Sequence, residues 1–396
     1  MTAKKVTPVN HDTIVLKKIY HYKLTRFCVD SNGQKTYYDN NMRIPYSSGQ
    51  QQKHSLIEEF LKLAEQEHAP SELFYEYDNS KDAKLNHKIF RITTDLRHLE
   101  SYLRGHMYNV EEEKASKSKS KKKTAESETS EAPESEENGT QKLIYIRPSA
   151  FKISCLSPVH SKLSSTVQEA HVMVDRRGKQ NCDIIIKDSK TKEIFDEEKT
   201  KYTLETTNFN GAMHFKPSEA NQNFLVSGVF EVTMEVDLKQ LFKTRLSKYE
   251  RTLPESVKND LLSHGWYITK EKNIEYINPP DEFKEFILDH LPEAIFNFTS
   301  KTNQNRNYAV PELLALAMTN DASEMPRIFT VDVNEDNKYF LTINANDASI
   351  TDHTTLFIDT IVAKNHGVLI DGDKFENLFP KTNAIETIKQ YLISKF

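Results

Sequence analysis

Residues 111–138 read EEEKASKSKSKKKTAESETSEAPESEEN, and this stretch constrains the fold more than any other feature of the chain. It has six Lys, nine Glu and, one Pro aside, no aliphatic side chain larger than Ala. Such a composition cannot bury enough apolar area to offset the entropy of ordering it. It predicts a disordered Lys/Glu/Ser-rich loop over 110–141, which separates 1–109 from the rest; that remainder divides into a β-rich segment 142–228 and a C-terminal α/β part 229–396. The basic run 117–123 could serve as a nucleic-acid tail, but a solvated charge run is the expectation.

Periodicity on either side of the loop is mixed. Residues 13–27 carry Ile14, Leu16, Ile19, Tyr20, Tyr22, Leu24 and Phe27 among Lys and Arg, which predicts one long or broken strand. Ser31-Asn32-Gly33 turns the chain. Leu56, Ile57, Phe60, Leu61 and Ala64 then recur at helical spacing. Beyond the loop, short strands are predicted at 143–146, 151–155 and 183–187. Strict alternation over 230–236 marks a half-buried strand. Asp237 is placed to N-cap a helix running through Leu238, Leu241, Phe242 and Leu246. Further helices are predicted at 255–263, 281–291, 310–318 and 384–396, and strands at 328–333 and 339–344. The fold class is α+β, with a ferredoxin-like core as the most economical assignment.

Several function classes lack their signatures. GxGxxG and GxxxxGKS/T are both absent, against a dinucleotide enzyme or a P-loop NTPase. Cys28, Cys155 and Cys182 form no CxxC pair, HExxH and HxH do not occur, and Cys155 lies five positions before His160 with no second pair. Asp371-Gly372-Asp373 lacks the later ligands of a calcium loop. No nucleophile elbow accompanies the many Ser, His and Asp residues. The expectation is a chain without catalytic residues, metal or cofactor. The start, Met1-Thr2-Ala3-Lys4-Lys5-Val6, has no apolar core of a signal peptide, and no stretch approaches the ~18 apolar residues of a membrane span. A cytoplasmic location follows as an expectation, under which the sequons at Asn138 and Asn297 carry no meaning. With 53 Lys+Arg against 58 Asp+Glu the net charge is −5, so any nucleic-acid binding must come from a local groove or an assembly rather than a diffuse basic surface.

Four segments could supply such a groove. Ser47-Ser48-Gly49-Gln50-Gln51-Gln52-Lys53-His54 puts small polar residues at a helix start and two potential cations in its first turns. It reads either as an ordinary capped helix or as a phosphate site, since helix N-termini offer unsatisfied N–H groups and a positive dipole end. Asp175-Arg176-Arg177-Gly178-Lys179 is a compact basic turn. Ser300-Lys301-Thr302-Asn303-Gln304-Asn305-Arg306-Asn307-Tyr308 is dense in amides and precedes the helix expected near Pro311. Either is a surface loop or a set of phosphate and sugar contacts. Last, Asn210-Gly211 is a hairpin turn signal flanked by Phe209, Met213 and Phe215, three apolar side chains that belong either to a β core or to a wedge between bases.

The order of these features resembles the repeated backbone subunit of type I CRISPR surveillance complexes (Cascade), in the DevR-like branch of the RAMP superfamily. Three points carry the resemblance over most of 12–330. They are a first strand followed by Asp30-Ser31-Asn32-Gly33 and then Ser48-Gly49 to Lys53-His54; the strand-to-Asp-Leu junction over 230–238; and the polar Lys/Asn/Arg loop 301–307. The long Lys/Glu insert departs from the family's compactness. The resemblance implies a modified RNA-recognition palm with helical fingers and a β-hairpin thumb whose tip is 206–216. It also implies a non-catalytic protein that binds guide RNA, oligomerises along it with copies of itself and other Cascade subunits, and supports recognition of a target DNA strand. The residues assigned to RNA are Arg26, Ser48, Gly49, Gln50, Lys53, His54, Arg176, Arg177, Phe209, Met213, Lys301, Asn305 and Arg306. The alternatives are a stand-alone RNA-binding or scaffold protein and an RNase-type backbone subunit, for which Asp30 and Asp39 are the loop acids after the first strand.

Overall fold

The structure is a computed structural model that describes residues 12–27, 29–30, 33–39, 41–64, 73–77, 87–112, 141–169, 187–188, 190–199, 223–247, 251–300, 310–344, 354–371 and 381–393. Strand β1 (Thr13–Thr25) is its axis. Successive residues of a strand point to opposite faces. Ile14, Leu16, Tyr20 and Tyr22 accordingly enter one apolar cluster, while Val15 and Ile19 enter another. A strand buried on both sides must lie inside a sheet.

Helices α1 (Gly49–Leu63) and α2 (Leu99–Arg104) follow β1. Next come β2 (His106–Glu112), β3 (Gln141–Arg147), β4 (Phe151–Ile153), β5 (Ser164–Glu169) and β6 (Asn223–Asp237). Helix α3 (Leu238–Phe242), helix α4 (Asp281–Asn297) and strand β7 (Glu312–Thr319) complete the palm. The sheet order is β4-β6-β1-β7. β1 runs antiparallel to β6, from Thr13↔Asp237 to Tyr22↔Gly228, and antiparallel to β7, from Val15↔Thr319 to His21↔Glu312. β4 runs antiparallel to β6, with Phe151 opposite Val236. With α1 between β1 and β4 in the chain, and α4 between β6 and β7, this is the split β-α-β of a ferredoxin-like core. The expected α+β palm is therefore present. A fifth strand, paired outside β7, spans Thr355–Ile358.

The two faces are covered differently. α1 packs on α4, and α4 on the last helix, Lys381–Ile393. Leu56, Phe60, Ile287, Leu291, Ile295 and Ile388 seal that side. On the other face lies a smaller sheet of Phe329–Val333, Tyr339–Asn344 and Leu369–Asp371, with Ile328, Leu341, Ile343 and Val368 packed beside Ile19 and Leu314. Among the described residues, no helix is long and apolar enough to cross a membrane.

The low-complexity segment is an insert within one hairpin. β2 and β3 pair as far as Glu112↔Gln141, so strand structure runs three residues into the expected 110–141 loop at one end and one residue at the other; 113–140 lies outside the described residues. β5 pairs with the first part of β6, from Glu169↔Asn223 to Ser164↔Gly228. At Gly228 (φ +137°) an added Cβ would lie 2.2 Å from the Leu163 carbonyl oxygen, so no other residue fits that crossing. The expected thumb tip, 206–216, is outside the described residues.

Two expectations are corrected. Residues 310–318 were expected to be helical, but β7 is a strand. It sits between β1 and the Thr355–Ile358 strand with Leu314, Ala315, Leu316, Ala317 and Met318 all fully buried. Burial on both faces erases the alternation that distinguishes a strand from a helix. The helix capped by Asp237 forms, with the Asp237 carboxylate accepting from the Gln240 N–H at 2.8 Å. It ends at Phe242 instead of running through Leu246, because Thr244–Leu246 pairs as a strand with Ile274–Asn278.

Candidate nucleic-acid interface

Helix α1 starts where Ser47 leaves a short bridge to Leu156, closed by N–H···O bonds of 3.1 and 2.9 Å. Ser48 is the N-cap, its hydroxyl accepting from the Gln51 N–H at 3.4 Å. Gly49 is required by packing: a Cβ there would stand 2.3 Å from the Ile153 carbonyl oxygen of β4. The buried Gln52 donates to the Ser47 hydroxyl at 2.8 Å, and the Ser300 hydroxyl donates to the same oxygen at 3.2 Å. The Ser300 N–H reaches the buried Tyr22 hydroxyl at 3.4 Å. Ser47 at the helix start and Ser300 just past α4, far apart in sequence, thus meet at one point.

The cationic part lies one turn further along. His54 Nδ1 is 3.0 Å from the Arg104 guanidinium, and its Nε2 is 3.0 Å from Glu58. A guanidinium only donates, so Nδ1 accepts and the ring carries its proton on Nε2, which it gives to Glu58. His54 therefore bridges Arg104 and Glu58 by hydrogen bonds. Arg104 also pairs with Glu100 at 2.9 Å. Lys53 is half-buried, and burial, followed by the Arg104 charge, lowers its pKa. Among the described residues Lys53 has no hydrogen-bonding or ionic partner. The Arg104 guanidinium is held on His54, the residue next to Lys53, and Lys53 has no carboxylate partner among the described residues. An anion there would relieve the repulsion.

Arg104 was not anticipated from the sequence, although the spacing of Glu100 and Arg104 on α2 was visible as an i,i+4 pair. Ser48, Gly49 and Gln50 occupy the cap and first turn of α1 as expected. Arg26 lies just past β1 and is only 5% exposed. Asp30 pairs with Gly33, and Asp39 with Met42, each across a short hairpin. Arg176, Arg177, Phe209, Met213, Lys301, Asn305 and Arg306 lie outside the described residues.

No family model matches the sequence, and neither does any curated protein. Among solved structures, one chain described as "CRISPR RNA-guided surveillance complex, pre-nicking" aligns over 97% of this chain and 89% of its own length, with 9% identity and a TM-score of 0.39. Another, described as "CRISPR RNA-guided surveillance complex", aligns over 97% of this chain and 100% of its own, with 9% identity and a TM-score of 0.37.

Proposed function

We propose that this chain is a non-catalytic, guide-RNA-binding backbone subunit of a type I CRISPR surveillance complex, in which copies line up along the RNA and hold it for pairing with a target DNA strand. The observation that carries the reading is the Lys53–Arg104 pair of cations beside the start of α1, on a ferredoxin-like palm. An ordinary RNA-recognition domain stacks bases on aromatics of its sheet face. In this palm that face of β1 carries Val15, Lys17, Ile19 and His21, and a second sheet packs against it. RNA is then held at helix ends and hairpins, where cations and amides meet phosphates without reading sequence. A net charge of −5 is compatible with this, since each copy covers only a short stretch of RNA.

The test is retention of guide RNA by Lys53→Glu in the full chain, measured across a salt series. Reversing one phosphate-facing charge weakens binding at low salt, and the gap from wild type narrows as salt rises. Unchanged RNA retention by a folded Lys53→Glu protein would remove the site from the reading.

A further inference from the structure

His21, Glu312 and His366 come together from three elements that share no sequence motif. His21 and Glu312 face each other in the β1–β7 register. His366 is the C-cap of the helix Thr360–Asn365, which Gly367 closes in the left-handed region (φ +70°) while the Val368 N–H bonds back to Ala363 at 3.0 Å. The backbone of all three is thus fixed by regular structure. Their side chains converge on one point. His21 Nδ1 lies 3.6 Å from Glu312 Oε2, and His366 Nε2 contacts the same oxygen. The two imidazoles stack with centroids 3.6 Å apart and planes 19° apart. The three donor atoms all lie within 4.8 Å of one another.

We infer that His21, Glu312 and His366 form a binding site for a borderline divalent cation of the zinc class. The donor set decides the class. Two imidazoles and one carboxylate suit Zn²⁺ or Co²⁺, whereas Mg²⁺ and Ca²⁺ take oxygen ligands. Ligand bonds of about 2.0–2.2 Å need the donors nearer together than 4.8 Å. Glu312 already reaches both rings, so the adjustment falls to the partly exposed His21 and His366 rings, which turn out of their stack to aim their lone pairs at one ion. The site is partly open, with His21 and His366 side chains 19% and 22% exposed and Glu312 50%, which leaves a coordination position for water. The carboxylate offsets part of a dication's charge, and the two imidazole rings offer nitrogen donors. The ion would fasten the element ending at His366, which carries part of the second sheet, to the central strand of the palm.

The test uses the full chain, stripped of metal with a chelator and titrated with Co²⁺ and then Zn²⁺. Wild type is expected to gain one equivalent of visible cobalt ligand-field absorption, lose it to zinc, and show a raised Tm in zinc. His366→Ala is expected to lose the band and to bind zinc more than about tenfold more weakly. Glu312→Gln keeps the side-chain shape and is expected to behave likewise, which guards against a folding defect in the first variant. His264→Ala alters an exposed histidine beside Asp260 and is the control expected to keep the band. Absence of the band in wild type overturns the site, as does a band that survives in both His366→Ala and Glu312→Gln.

Discussion

Lys18 stands on the apolar face of β1 between Leu16 and Tyr20, where the alternation of the strand calls for a hydrocarbon. Its ammonium, 1% exposed, donates to the carbonyls of Ile295, Phe296 and Phe298 at 2.9, 2.8 and 3.0 Å. These are among the carbonyls that the end of α4 leaves without helical partners. An ammonium has three N–H groups, and all three are used. Burial pulls its pKa well down and Glu59 pushes it up; the three acceptors favour the charged form. Lys18→Met keeps the stem and removes the donors. Tyr20 still donates to Phe298 at 2.7 Å, so two carbonyls are orphaned. The expected loss, read by urea unfolding, is on the order of 2–4 kcal/mol. His106 gives a pH signature. Its Nε2 meets the Thr252 carbonyl at 3.0 Å, its Nδ1 is buried without a partner among the described residues, and burial lowers its pKa from 6.5 to about 4. Between those values the unfolded chain binds the proton and the folded one does not, so stability falls as pH drops through 6.5 towards 4. The contribution is on the order of 3 kcal/mol. His106→Gln should flatten that part of a stability–pH curve; an unchanged slope would assign it to other groups. Neither role was legible in the sequence, because each depends on partners brought close only by tertiary contacts. The place of Lys53 in the first turns of a helix was legible, since a polar helix start announces itself locally.

At the scale of elements, α1 and β6 were readable because each has one period over many residues and a clear end: Ser48 and Asp237 cap, and Gly49 packs. β1 was readable from its β-branched and aromatic residues and the turn at Ser31-Asn32-Gly33 that follows. β7 was not, because Leu and Ala favour helices in isolation and the burial that overrides them is tertiary. The His21–Glu312–His366 cluster was hidden for a related reason. Its members are joined by register and a helix cap, so no spacing along the chain betrays them. The insert between Glu112 and Gln141 was plain from composition, and its place inside a hairpin makes a simple prediction. Replacing 113–140 by a four-residue turn removes nearly three doublings of loop length, at about 0.6 kcal/mol each. The shortened protein should have an equal or higher Tm and unchanged RNA retention. A clear fall in either would mean that the insert is a folded or RNA-contacting arm.

At the scale of the whole molecule, the palm buries both faces of its central strands, one under α1 and α4 and the other under the second sheet. That closure separates it from a domain that reads RNA on an open sheet, and under the proposed function binding falls to the rim near Lys53 and Arg104, with the buried Ser47 and Ser300 holding the start of α1. The central claim, that this rim holds guide RNA, is tested most directly by expressing the full chain with a guide RNA, purifying it at low salt and measuring its ratio of absorbance at 260 and 280 nm. Wild type is predicted to emerge with the high ratio of a nucleic-acid complex, and a Lys53→Glu, Arg104→Glu double variant with the low ratio of free protein. A wild-type protein that purifies folded and free of RNA would contradict the account.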